Sequence, residues 1–408
     1  QACRLQQAIT PDTQPACIVY PSTPEMLAAV VGCAHHQGWP LAIMGSGSKL
    51  TWGGLRSGIQ VAVSTIRLNR LVDHAVGDMT VTVEAGMPLS TLQPILAQAG
   101  QWLPVDPLYG EQASVGGTIA TAATGSLRHR YGGIRDLVLG ITIVRCDGQL
   151  AKAGGRVVKN VAGYDLMKLF TGSYGTLGII SQATFRVYPL PEASQTVLLV
   201  GDADSVAQAS RTVVGSALTP IAVDLLSADL AKSLGLGTDI GLAVRFQGFS
   251  ASVTEQSDRV SAVADTLGLT HQILSNQADQ QWWQQRQQAM AQTTPPTLLC
   301  KVGIRSTEAV SLLRQVAALP ASRAVIHAAS GTGWLRLAES VAIADIMAIR
   351  AYCQAAGGYL SILEAPIALK QDCDLWGYHG NALDLMRRLK YQFDPSNLLN
   401  PGCFVGGI

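Results

Sequence analysis

Residues 112–125 read QASVGGTIATAATG, a stretch with hardly any side-chain bulk and no charge. A run of Gly, Ala, Ser and Thr buries little apolar area and leaves backbone N–H groups near the surface, which suits a large ligand lying against the main chain. The run reads as one wall of a phosphate-binding cradle.

The facing wall lies upstream. Gly45-Ser46-Gly47-Ser48 follows the apolar run Leu41 to Met44, a strand-then-glycine arrangement in which successive N–H groups converge on a pyrophosphate. A third glycine-rich segment, Gly172 to Ile180, feeds a strand expected over Ala183 to Tyr188. Three such segments beside strands point to a ligand that touches several loops. Two common nucleotide motifs are excluded: G-x-G-x-x-G fails at Leu50, and no G-x-x-x-x-G-K-[ST] loop is present.

The chain's 408 residues imply two or more domains. Charged residues make up only 14% against a usual fraction of about a quarter, which implies extensive burial or, as the weaker reading, a large partner-facing surface. With 29 Lys and Arg against 28 Asp and Glu, and no basic block interleaved with aromatics, nucleic acid is not an expected partner. No apolar run approaches the roughly 20 residues that span a bilayer, and the chain reads as soluble and intracellular. The eight cysteines never form a C-x-x-C pair, so neither an iron–sulfur cluster nor a zinc site is expected in this chain.

The element pattern is α+β. Thr23-Pro24-Glu25 opens a helix whose Met26, Leu27, Val30, Val31 and Ala34 share one face, and Gly38 ends it. Strands are expected at Leu41–Met44, Ile59–Val63, Thr80–Glu84 and Leu137–Arg145, with helices at Pro88–Gln98 and Tyr164–Phe170. Pro189 and Pro191 mark a boundary, beyond which strands near Gln195–Val200, Gly241–Gln247, Leu298–Val302 and Trp334–Leu337 alternate with helical runs. The Gln-rich segment 276–293 reads as a helix with Trp282 and Trp283 on a packed face.

The motifs PSTPEMLAAVV, MGSGSKLTWGG, VTVEAGMPLSTL, SVGGTIATAATG, GYDLMKLFTGSYGTLGII and the terminal FDPSNLLNPGCF resemble the FAD-binding family typified by vanillyl-alcohol oxidase and p-cresol methylhydroxylase (PCMH-type). The resemblance implies a two-subdomain FAD-binding domain over 18–190 (18–100 and 101–190), an α+β cap over 191–385, and a C-terminal segment, 386–408, returning to the FAD domain. It places Gly45, Ser46, Gly47, Ser48 and Lys49 at the pyrophosphate. Pro107, Ser114, Gly116, Gly117 and Thr121 would follow the cofactor, with Gly175, Gly178 and Ile180 near its adenosine or ring. No His lies within Gly45 to Gly54, where several relatives attach flavin, so noncovalent FAD is expected.

A closer likeness, to the E-type subunit of bacterial glycolate oxidases, is carried by Arg135 to Gly140, Lys159-Asn160-Val161-Ala162-Gly163-Tyr164-Asp165 and Leu363-Glu364-Ala365-Pro366. It implies oxidation of glycolate to glyoxylate in a complex with a related flavin subunit and an iron–sulfur subunit, with cytoplasmic localisation and any contact with the inner face of a membrane made through partners.

The cap departs from catalytic members of the family. Their H-x-G-D-G-N-L-H and G-E-H-G motifs hold a divalent metal over the flavin. Here the first reads His327 to Trp334, with Trp in the place of the second His, and Ala365 follows Glu364. One His and one carboxylate fall short of a metal site, so no metal is expected. Oxidising a small 2-hydroxy acid needs a cation for the carboxylate and a base for the hydroxyl proton. Arg245, Lys301, Arg305 and Arg336 are candidates for the first; His327, ahead of His379, is the candidate catalytic base. Three readings stay open: a flavin subunit with a degenerate substrate site, a self-sufficient 2-hydroxy-acid (D-lactate or glycolate) dehydrogenase, and a flavin-free scaffold.

Overall fold

A computed structural model describes residues 1–156, 163–292 and 297–408; Lys159-Asn160-Val161-Ala162 lies outside the described residues. The N-terminal unit is a small parallel sheet in the order Cys17–Val19, Val61–Ser64, Leu41–Met44. Its covering helix, Pro24–Gln37, starts where Thr23 Oγ1 accepts the Met26 N–H and stops at Gly38, whose φ of 66° suits the residue without a Cβ. The helix buries Leu27, Val31 and Ala34, whereas Met26, expected on that face, is 54% exposed. The strand expected from Ile59 begins at Val61, because the Gln60 N–H turns aside to the Pro40 carbonyl.

An antiparallel five-stranded sheet follows, ordered Leu71–Ala75, Thr80–Glu84, Ile179–Arg186, Val138–Val144, Leu150–Gly154. The third of these starts at Ile179 and not at Ala183, since Ile179 and Ile180 already pair with Val144 and Ile143. The stretch 112–125 corrects its sequence reading. Val115–Ala120 is a helix capped by Ser114, and Val115, Gly116, Thr118 and Ile119 are buried. Its N–H groups are spent inside the fold: Val115 and Gly116 donate to the carbonyls of Met87 and Ala85, and Gly117 donates to Ser114 Oγ. Small residues here serve close packing, as a Cβ on Gly116 would lie 2.7 Å from that of Ala85.

The second half is built on an eight-stranded sheet ordered Thr270–Ser275, Ala193–Gly201, Ile240–Gly248, Ala222–Leu226, Arg323–His327, Thr332–Ala338, Thr297–Gly303, Tyr359–Glu364. Four of these strands, at 222, 270, 323 and 359, were not expected; Ala222–Leu226 is buried at every residue and so shows no alternation. One face packs helices through Leu199, Leu225, Leu242, Ile326 and Leu335. The other face, through Leu226, Ala243, Leu299, Val325 and Trp334, packs in one cluster with Trp52, Leu108 and Ala123 of the first half. Trp282 and Trp283 of the helix Gln277–Ala291 are buried in that same cluster.

After the helix Leu383–Phe393 the chain returns to the first sheet. The Leu41 N–H donates to the Leu398 carbonyl and the Asn400 N–H to the Leu41 carbonyl. Buried Lys390 and Asp394, 2.6 Å apart, hold this return in place.

Candidate active site

Gly45, Ser46, Gly47, Ser48, Lys49, Ser114, Gly116, Gly117, Thr121, Gly175, Gly178 and Ile180 line one cleft of ≈ 700 Å³ of atom-free space, its open mouth included. Pro107 is not among them. It is buried beside the cap, where its carbonyl accepts from Gln287 Nε2. Sequence reasoning missed Arg56, Thr65, Tyr174 and Asn400, which also line the cleft. Asn400 Oδ1 accepts from the Ile43 N–H at 2.8 Å and from Arg56 Nε at 3.1 Å, while its Nδ2 donates to the Tyr174 carbonyl at 2.7 Å. Two of these residues sit at backbone positions unusual for a side chain, φ 54° at Tyr174 and 47° at Asn400; no sequence signal beyond the Asn-Pro-Gly turn marks them.

The cleft fits a phosphate-bearing cofactor. The N–H groups of Ser46, Gly47, Ser48 and Lys49 have no hydrogen-bond partner among the described residues, so four successive donors border the cleft. Gly45 lies where the two walls come together: a Cβ added there would sit 2.1 Å from Ser114 Oγ. Lys49 Nζ is buried without a hydrogen-bond partner among the described residues, 5.7 Å from the centre of the Trp52 ring. Burial pushes its pKa down to about 7. An unpaired ammonium at a glycine cradle is the arrangement an anion completes.

Strand alternation brings the cap's charged candidates to the face that meets the first half. Trp334 pairs across the ladder with Lys301, and Asp224 with His327. Of the four cations, Arg245 is bound to buried Asp279, with Nε at 3.0 Å from Oδ2, and Arg305 is exposed. Arg336 is 2.8 Å from Glu364 Oε2 and donates to Tyr109 OH at 2.7 Å. Lys301 has no hydrogen-bond or ion partner among the described residues; it lies 5.8 Å from the Trp334 ring, and burial draws its pKa down to about 8.

Glu364 is held by three donors. Its Oε1 accepts from Trp52 Nε1 and from Tyr109 OH, both at 2.8 Å, and its Oε2 accepts from Arg336. Trp334 packs against Trp52 with ring centres 5.5 Å apart and the ring planes tilted by 44°. Among the described residues no group of three or more His, Cys, Asp and Glu is placed to hold a metal ion, and these side chains do not fit the divalent metal of the family's catalytic members.

His327 is buried, and its Nδ1 lies 2.7 Å from Asp224 Oδ1. Ser126 donates to the other Asp224 oxygen at 2.6 Å, and Arg286 stands 3.4 Å from it. Burial raises the Asp224 pKa, but His327, Arg286 and Ser126 outweigh it and hold this carboxylate below its usual value. His327 Nε2 is buried with no hydrogen-bond partner among the described residues. His379 is exposed.

A fold of this shape with an anion-binding cleft between its first two sheets defines a flavin-dinucleotide-binding protein. The family model described as "FAD binding domain" matches residues 15–154, and that described as "FAD linked oxidases, C-terminal domain" matches 376–403. The chain is 30% identical over 371 residues to glycolate oxidase subunit GlcE of Escherichia coli (strain K12), covering 89% of this chain and 92% of that protein. It is 25% identical over 427 residues to glycolate oxidase subunit GlcD of Bacillus subtilis (strain 168), covering 96% of this chain and 90% of that one. It is 35% identical over 254 residues to a probable mitochondrial D-lactate dehydrogenase of Danio rerio, a match spanning 59% of this chain and half (50%) of that protein's length. Among solved structures, 4-ethylphenol oxidase from Gulosibacter chungangensis has the same fold with a TM-score of 0.72 at 15% identity, over 95% of this chain and 88% of that one. The chain belongs to the PCMH-type family of FAD-linked oxidoreductases, and FAD is its cofactor.

Proposed function

We propose that this chain is the FAD-binding subunit of a glycolate-oxidising complex, serving electron transfer or assembly while substrate is oxidised elsewhere in the complex. The observation that carries the reading is the state of Glu364, the position where catalytic relatives place a metal ligand. Three donors, Trp52, Tyr109 and Arg336, already hold it, and Trp334 packs against the same Trp52. A carboxylate so tied is not free to turn toward a metal ion. The likeness to GlcE over most of both chains supports the subunit role, and the partners would be a related flavin subunit and an iron–sulfur subunit.

When bound, noncovalent FAD would supply the two-electron chemistry. The chain's own residues would retain it: the N–H groups of Ser46 to Lys49 and the Lys49 ammonium at the phosphates, with Ser114, Gly116, Gly117, Thr121, Gly175, Gly178 and Ile180 against the rest.

A second reading, a self-sufficient 2-hydroxy-acid dehydrogenase, is favoured by His327 and Lys301. Asp224 would hold the proton on His327 Nδ1, leaving unpartnered Nε2 to take the hydroxyl proton, and Lys301 would hold the carboxylate.

One experiment separates them. The purified, FAD-loaded chain is mixed anaerobically with glycolate or D-lactate, and flavin absorbance is followed. Persistent oxidised flavin is expected from the isolated chain, with bleaching only after the other subunits are added. Rapid bleaching by the chain alone, abolished in His327→Ala, would overturn the subunit reading in favour of the second.

A further inference from the structure

The N-terminal helix Ala2–Gln6 lies ahead of the residues matched as the FAD-binding domain, yet its side chains reach the cradle. Gln1 Nε2 donates to the Gly45 carbonyl at 2.9 Å and to Ser64 Oγ at 3.2 Å, and Ser64 Oγ itself donates to the Gly45 carbonyl at 3.0 Å. Arg4 Nη1 donates to the Gly47 carbonyl at 3.3 Å, and Nη2 donates to Gln112 Oε1, at the start of the second glycine segment, at 3.0 Å. Neither Gln1 nor Arg4 lines the cleft.

These bonds set the direction of two peptide groups. A trans peptide is planar, so its C=O and the following N–H point opposite ways. With the Gly45 carbonyl held by Gln1 and Ser64, and the Gly47 carbonyl by Arg4 and by the Leu50 N–H at 3.3 Å, the N–H groups of Ser46 and Ser48 turn away from those donors, and both have no partner among the described residues. Glycine-rich loops flip peptides at little cost, and Gly47 sits at φ 82°, so an external hold has something to correct. The helix is anchored for this work by Leu5, Ala8 and Ile9, which are buried against Ala42, Met44 and Leu50. The Arg56 N–H donates to the Ala8 carbonyl and the Thr10 N–H to that of Arg56.

We infer that Gln1 and Arg4 are positioning residues for the cofactor: they orient the anion-binding amides from outside the cleft, and Arg4 ties its two walls together. The inference rests on the assignment of FAD to this cleft.

The test is affinity, measured by quenching of flavin fluorescence on titration with apoprotein, for FAD and for riboflavin, which lacks the phosphates. The variants are Gln1→Ala with Arg4→Ala, and Arg4→Lys alone, all retaining the buried anchor residues. The double variant is expected to bind FAD about five- to tenfold more weakly, the effect of two net hydrogen bonds, with riboflavin affinity and melting temperature unchanged. Arg4→Lys, which reaches one carbonyl but cannot bridge both walls, should fall between. Unchanged FAD affinity in the double variant would overturn the inference, as would equal losses for FAD and riboflavin, the mark of a merely structural role. If the unaltered chain bound no FAD, the cofactor assignment would fail first and the positioning role with it.

Discussion

At the scale of single residues, Lys49 is the most informative. Its ammonium is buried over the Trp52 ring with no hydrogen-bond partner among the described residues, a state that costs the ligand-free fold stability and prepares it for a phosphate. With a pKa near 7 in the free protein, Lys49 is already charged below that pH. Above it, binding an anion must take up a proton, so FAD affinity should fall between pH 7 and 9, by at most about tenfold per pH unit. Calorimetric titration across that range checks this. Lys49→Met should flatten the slope, weaken FAD at pH 6.5 by about 10- to 100-fold, the worth of a charge-assisted bond, and leave the apoprotein at least as stable. The sequence placed this lysine beside the cradle; its isolation is a property of packing, invisible until Trp52 is seen lying over it.

Elements explain which parts of the site could be read in advance. The Gly45 to Lys49 turn was legible because a short apolar strand runs into it, and the edges of Thr80–Glu84 follow from alternation alone. The second glycine segment was legible as a wall but not as a buried helix, since Gly and Ala describe close approach without saying to what. The fully buried cap strand Ala222–Leu226 gave no period to detect. The C-terminal return was legible as a motif, yet the work of Asn400 was not, because its partners lie 357, 344 and 226 residues away. Asn400→Ala would leave the Ile43 N–H and the Tyr174 carbonyl short of a partner. A stability loss of about 2–3 kcal/mol in denaturant unfolding is expected, together with weaker FAD binding, whereas Asn400→Asp, which keeps the acceptor, should lose less.

At the scale of the whole molecule, the cap sheet presents to the first half a face in which a buried guanidinium, Arg336, stands beside the carboxylate that relatives use for metal. Restoring the missing ligands by Trp334→His with Ala365→His should therefore not create a divalent-metal site while Arg336 and Tyr109 occupy Glu364. Zn²⁺ or Mn²⁺ titration should show stoichiometric binding only when Arg336→Met is added, and metal binding by the double variant alone would contradict this account of the cap. The wrapping of the tail has another consequence. Leu41, at the edge of the first sheet, meets its partners Leu398 and Asn400 only at the far end of the chain. A chain cut before Leu398 would leave the edge strand unpaired there and the cleft without Asn400, so such a truncation is expected to lose bound flavin, which the absorbance of the purified protein checks.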